Sequence, residues 1–279
     1  TTTETESGGT LDSLLPEGPL GSNQITDLFA KLSGTRVLVV LDEFDRSPNG
    51  AFRRSVAELI KSLSDRSIRV QLVIAGVAGN LAELVEHIPS IRRNVLGLRV
   101  PNMTMAEIRE MIQIGEASSG LTFERKAVDF IARYACGSPY LASLLAQHAA
   151  LYGVDAGRQV VMQGDLAQAV ALTVTELAQR LSERTIRAIA RLRTSEGVAL
   201  AHIAEMSLVH GGQIDAGRGE IDSNLHKIIV EIAIPNGIVE PCGEDGEALY
   251  RFTEESIASY LWLLQAADET RALIPPARV

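Results

Sequence analysis

The 279 residues are 46% hydrophobic and 22% charged, which suits packed soluble domains and excludes a mostly disordered or collagen-like chain. The length is enough for two or three folding units, each burying its own core. The net charge of −9 argues against a strong general affinity for nucleic acid.

The first residues, TTTETESGGT, hold neither a basic region nor an apolar stretch, so nothing there reads as a signal peptide. No apolar run approaches the roughly 18 residues that a membrane helix needs. Cys136 and Cys242 lie far apart without a metal-ligand pattern, which fits a reducing cytoplasm and argues against zinc. Residues 1–22, rich in Thr, Ser, Gly and Pro, read as a flexible lead-in. Together with the initial Thr they suggest a piece of a longer protein.

From Ser22, SNQITDLFAKLSG reads as a short amphipathic helix, capped by Ser22 or Asn23 and stopped by Gly34. RVLVVLDEFDR follows. Its five aliphatic residues, Val37 to Leu41, predict a strand buried on both faces of a parallel sheet. Phe52, Val56, Leu59, Ile60 and Leu63 then recur at helical spacing. VQLVIAGVAG from Val70 predicts a second buried strand, NLAELVEHI a helix, and VLGLRVP from Val95 a third strand ended by Pro101. The alternation predicts a partial parallel α/β sheet over 23–101.

After Pro101 the texture becomes helical. Thr104 and Glu107 have capping-box spacing at the start of one helix. FERKAVDFIARYACG, SPYLASLLAQHAALYG and GDLAQAVALTVTELAQRL complete an all-α group over 102–180. From 181 to 279, ERTIRAIARLR, ALAHIAEMS and EIDSNLHKIIVEIAI read as three helices. GIVEPCGEDGEALYRFT reads as a hairpin turning at Gly243–Gly246, and EESIASYLWLLQ as a closing helix with Trp262 in the core. Three helices and a β wing make a winged-helix layout. The scattered histidines form no metal-binding pair, and Cys136 reads as a small packing residue.

The chemistry concentrates at Asp42 and Glu43. A buried parallel strand delivers them to the carboxyl edge of the sheet, where such folds bind ligands. Asp42 can hold Mg²⁺, which favours one or two carboxylates with water and phosphate oxygens. Glu43 can orient and deprotonate a water for phosphoryl transfer. Asp45 and Arg46 can brace this loop as a surface ion pair.

On these residues the chain resembles the AAA+ superfamily, in particular its origin-recognition and STAND-like bacterial branch. VLVVLDEFD resembles the Walker B segment, and VQLVIAGVAGN the sensor-1 strand, with Asn80 as its nearest polar match. Arg92 and Arg93 fall where many members carry an arginine finger, which acts on a neighbour's nucleotide; the alternative is a pair of surface arginines at a helix end. The segment 107–145 resembles the helical lid. The resemblance implies ATP and Mg²⁺ as cofactors, ATP hydrolysis, and a conformational or assembly switch involving a protein partner or self-assembly.

Two departures stand out. No G-x-x-x-x-G-K-[ST] loop exists in the sequence, so this chain alone is expected to bind ATP weakly or not at all. Gly137-Ser138-Pro139-Tyr140 stands where the branch carries a Gly-x-x-Arg turn. Residues 181–279 carry nine Lys/Arg against fifteen Asp/Glu, a net of −6, which disfavours DNA as their partner. A DNA-binding initiator or transposition-type ATPase, using Arg218 and Lys227, is one alternative. A non-catalytic adaptor of the same architecture is the other.

Overall fold

The computed structural model describes residues 18–32, 36–47, 50–76, 93–217, 219, 221–243 and 247–273. The chain divides into two compact units, Thr1–Val100 and Pro101–Val279. Helices dominate, accompanied by small sheets, two of them parallel.

The first unit holds α1 (Ser22–Lys31), β1 (Val37–Leu41), α2 (Gly50–Asp65) and β2 (Val70–Ile74). Ser22 is already helical; Gly21 is the cap, and its N–H donates to Gln24 Oε1 at 2.9 Å. β1 and β2 run parallel, with Val37 opposite Val70 and Leu41 opposite Ile74. Their alternate residues Val37, Val39, Val70 and Leu72 pack with Ile25 and Phe29 of α1 and Leu59 and Leu63 of α2.

Both helices therefore cover the same face. The expectation of a strand buried on both faces is corrected accordingly: Leu38 and Val40 are each 59% exposed and Val73 44%. A sheet with one covered face alternates in burial, as β1 does. The third expected strand is corrected too. Residues 95–100 form no ladder with any described residue, and Leu96, Leu98 and Val100 are exposed. Strand-like alternation stabilises nothing until a partner takes its backbone groups. The helix expected at NLAELVEHI and the stop at Gly34 lie outside the described residues.

The second unit opens with α3 (Met105–Ser119), β3 (Thr122–Phe123), α4 (Arg125–Tyr134), α5 (Pro139–Asp155), β4 (Val160–Val161) and α6 (Leu166–Ala178). The capping box is present: Glu107 N–H donates to Thr104 Oγ1 at 3.2 Å, and Thr104 N–H to Glu107 Oε2 at 2.7 Å. Two-residue strands β3 and β4 pair in parallel, a contact too short to read from the sequence. Behind β4, Arg158 forks onto Asp165 at 2.7 and 2.8 Å.

Beyond α6 come α7 (Glu183–Val209), β5 (Gln213–Asp215), α8 (Ser223–Ile228), β6 (Val239–Pro241), β7 (Leu249–Phe252) and α9 (Ile257–Leu273). α8 continues as a π turn over Ile229–Ala233. The hairpin strands β6 and β7 pair antiparallel, and β5 adds on the other side of β7. The first two helices expected here are one helix of 27 residues. Ser195-Glu196-Gly197 does not break it, because α9 packs along α7 and Arg193 reaches Asp268 at 2.5 Å. Tertiary packing outweighs the roughly 1 kcal/mol that an interior glycine costs.

The core of this unit is continuous, running from Ile108 and Ile131 through Leu145 and Leu166 to Leu200, Ile229 and Leu263. The junction at 180–181 lies between helices that share it: α9 packs against both α6 and α7. Trp262 is 5% exposed, stacks 5.0 Å from Tyr134 and donates its indole N–H to the Tyr134 carbonyl, as a core residue does. Burial pushes the Cys136 thiol up to about 12, keeping it an inert packing group at neutral pH.

Candidate functional site

Parallel pairing brings the carboxyl ends of β1 and β2 to one edge. There the ladder is extended by two further bonds. Ala75 N–H donates to the Leu41 carbonyl at 2.9 Å, and Phe44 N–H donates to the Ala75 carbonyl at 3.0 Å. Asp42 and Glu43 occupy the two positions between these bonds.

Phe44 anchors the loop. It is 4% exposed and lies 6.0 Å from the Phe52 ring. Burying such a side chain contributes about 1.5–3 kcal/mol, enough to fix the backbone before it. Glu43 takes the consequence: its φ of 52° and ψ of 35° are left-handed, a conformation that costs a side-chain-bearing residue about 1–2 kcal/mol. Its N–H donates to Asp42 Oδ1 at 2.9 Å, a local bond that steadies the turn. Both acids are exposed. Glu43 also pairs with Arg46 across a 3₁₀ turn at 3.5 Å, with both side chains more than 60% exposed. Such a pair is worth about 0–1 kcal/mol and leaves the carboxylate easy to recruit.

Strain at a non-glycine residue, enforced by a buried neighbour, is typical of positions kept for function rather than stability. The arrangement offers two oxygen ligands on consecutive residues, at the sheet edge where open parallel sheets take their ligands. Among the described residues no group of three or more His, Cys, Asp or Glu gathers to hold a metal. An exposed single carboxylate suits Mg²⁺, which keeps waters and phosphate oxygens as its other ligands. Asp42 fits that demand.

Of the other candidate residues, Arg93 is exposed, and Asn80 and Arg92 lie outside the described residues. No contact among the described residues brings Arg93 to Asp42 or Glu43. The sequence reading passed over Phe44 and Ala75. The signal for Phe44 was present: one aromatic among the acids of Asp-Glu-Phe-Asp-Arg.

Elsewhere, described cations of the C-terminal sheet and helix are already paired. Arg251 meets Glu240 at 2.8 Å and Lys227 meets Glu231 at 3.7 Å; Arg218 lies outside the described residues. No helix of the described residues is long and apolar enough to cross a membrane.

Fold and edge together define a helix-rich chain in which a parallel β–α–β element carries paired acids. No family model matches the chain, and no curated protein does. Among solved structures it is similar to Cdc6p from Pyrobaculum aerophilum, at 17% identity over 93% of this chain and 74% of that one, with a TM-score of 0.47. It is similar also to the Thermotoga maritima RuvB Holliday junction branch migration motor, at 14% identity over 92% and 76%, with a TM-score of 0.46. A single-residue variant of that RuvB gives 15% identity over 92% and 76%, with a TM-score of 0.48.

Proposed function

We propose that the chain carries the metal-binding and water-activating edge of an AAA+-type ATPase, and that ATP turnover there drives a conformational or assembly switch. The observation that carries this reading is Glu43, held left-handed beside Asp42 at the shared carboxyl end of β1 and β2 by the buried Phe44. In this reading Asp42 holds Mg²⁺, which supplies charge neutralisation at the transferring phosphoryl group. Glu43 leaves Arg46, orients the attacking water and accepts its proton. Arg92 and Arg93 complete or sense the site of a neighbouring subunit, and Asn80 contributes a polar contact to nucleotide. The phosphate cradle is not among these 279 residues.

The C-terminal part acts as a winged-helix-like module facing protein rather than DNA. Its sheet order, with β5 and β6 flanking β7, supports the layout, and the Arg251–Glu240 and Lys227–Glu231 pairs support the choice of partner. Because its core is continuous with that of α3–α6, it moves with those helices rather than on its own.

Steady-state ATP hydrolysis by the natural protein, purified from its source, tests the reading. Glu43→Gln is expected to abolish turnover and keep nucleotide binding; Asp42→Asn is expected to remove the Mg²⁺ dependence of binding. Full hydrolysis by the Glu43→Gln variant overturns it.

A further inference from the structure

We infer that the strap Pro101–Met103 is a mechanical link tying the α4–α5 turn to the end of the long helix α7. The last four carbonyls of an α-helix have no partner within the helix. At the end of α7, His210 N–H donates to the Met206 carbonyl at 3.0 Å, and Gly212 N–H to the Ser207 carbonyl at 2.7 Å. The remaining two are taken from 106 and 107 residues away. Asn102 Nδ2 donates to the Leu208 carbonyl at 2.7 Å and reaches the Val209 carbonyl at 3.4 Å.

The next residue of the strap binds the opposite way. Met103 N–H donates to the Gly137 carbonyl at 2.9 Å. Gly137 has a φ of +76°, and a Cβ placed there lies 2.5 Å from Met103 O and 2.8 Å from Asn102 Cβ. Only glycine gives the strap this seat. Asn102 and Met103, adjacent in sequence, thus hold two elements that are far apart in sequence. α7 leads within a few residues into β5, so the strap also fixes how the chain enters the C-terminal sheet. A displacement of the chain entering at Pro101 is passed to both elements together. The link is independent of any nucleotide chemistry.

Residue-resolved amide exchange on the whole chain tests it. Asn102→Ala is expected to speed exchange at His210 and Gly212 roughly three- to tenfold, the loss of one side-chain hydrogen bond. Gly137→Ala, a change on the other element, is expected to do the same by lifting the strap. The double variant is expected to be no faster than the faster single one. Wild-type rates at His210 and Gly212 in Gly137→Ala overturn the link. So does an effect of Gly137→Ala that persists undiminished in the Asn102→Ala background, which would assign the coupling to packing between the elements. Should Gly137→Ala fail to fold, Asn102→Ala alone decides through the far side of the strap. The Met103 amide, bound to Gly137, is expected to exchange roughly three- to tenfold faster, and an unchanged rate overturns the proposal.

Discussion

The indole N–H of Trp262, on the last helix, donates to the main-chain carbonyl of Tyr134 at 3.1 Å, joining residues 128 apart in sequence. The same two rings stack at 5.0 Å, so one pair combines aromatic packing with satisfaction of a buried carbonyl at the end of α4. Trp262→Phe keeps most of the packing and orphans the carbonyl; it is expected to cost about 1–3 kcal/mol. Trp262→Ala adds a cavity and is expected to cost about 3–5 kcal/mol. Urea unfolding followed by circular dichroism checks both, and wild-type stability of Trp262→Phe contradicts the hydrogen-bond role.

Acid sensitivity follows from three carboxylates. Burial raises Asp165, but the Arg158 fork and the Met162 N–H together outweigh it and hold the carboxyl low. Glu254 is lowered by the Thr185 hydroxyl and by both donors of Ser182. Glu107 is lowered by its capping bonds to Thr104. A lowered folded-state pKa gives stability that is present above the unfolded value, near pH ~4, and lost as pH falls through the folded value. The second unit is therefore expected to lose stability below about pH 4. Asp165→Asn is expected to flatten that slope and lower stability at neutral pH. Thermal melts from neutral to acid pH provide the measurement.

Glu43 sets function against stability. Glu43→Gly removes the left-handed strain and is expected to leave the first unit as stable or up to about 1 kcal/mol more stable, while ending the proposed ATP turnover. Glu43→Val, β-branched and intolerant of positive φ, is expected to destabilise by about 1–2 kcal/mol. Denaturant curves distinguish the two, and a stabilising valine contradicts the strain argument.

The paired cations of the C-terminal region predict little attraction to DNA. Titration with a short duplex at low salt is expected to show no tight binding, and Lys227→Ala no change. Tight binding with a steep salt dependence, lost on changing Arg218 and Lys227, restores the DNA-binding alternative.

Legibility varied with how local the cause was. The β1 run, the Thr104–Glu107 box and the Ser138-Pro139 helix start were all readable, since each depends on a few adjacent residues. The unbroken α7 was not, because the force that carries it through Gly197 comes from α9, which lies far later in the chain. The exposure of Leu38 and Val40 was equally hidden: a short aliphatic run says that a strand forms, not how many of its sides are covered. At the candidate site the acids were evident from the sequence. The left-handed turn was not, for it depends on Phe44 and on a carbonyl contributed by Ala75 of the neighbouring segment.

The unbroken interior of the second unit's described residues also governs how that unit comes apart. Heat or denaturant should melt it in a single cooperative event, with fluorescence from Trp262 and helical dichroism fading together. Under the conformational switch proposed above, such a body would be a solid lever: whatever stroke it made, it would make whole.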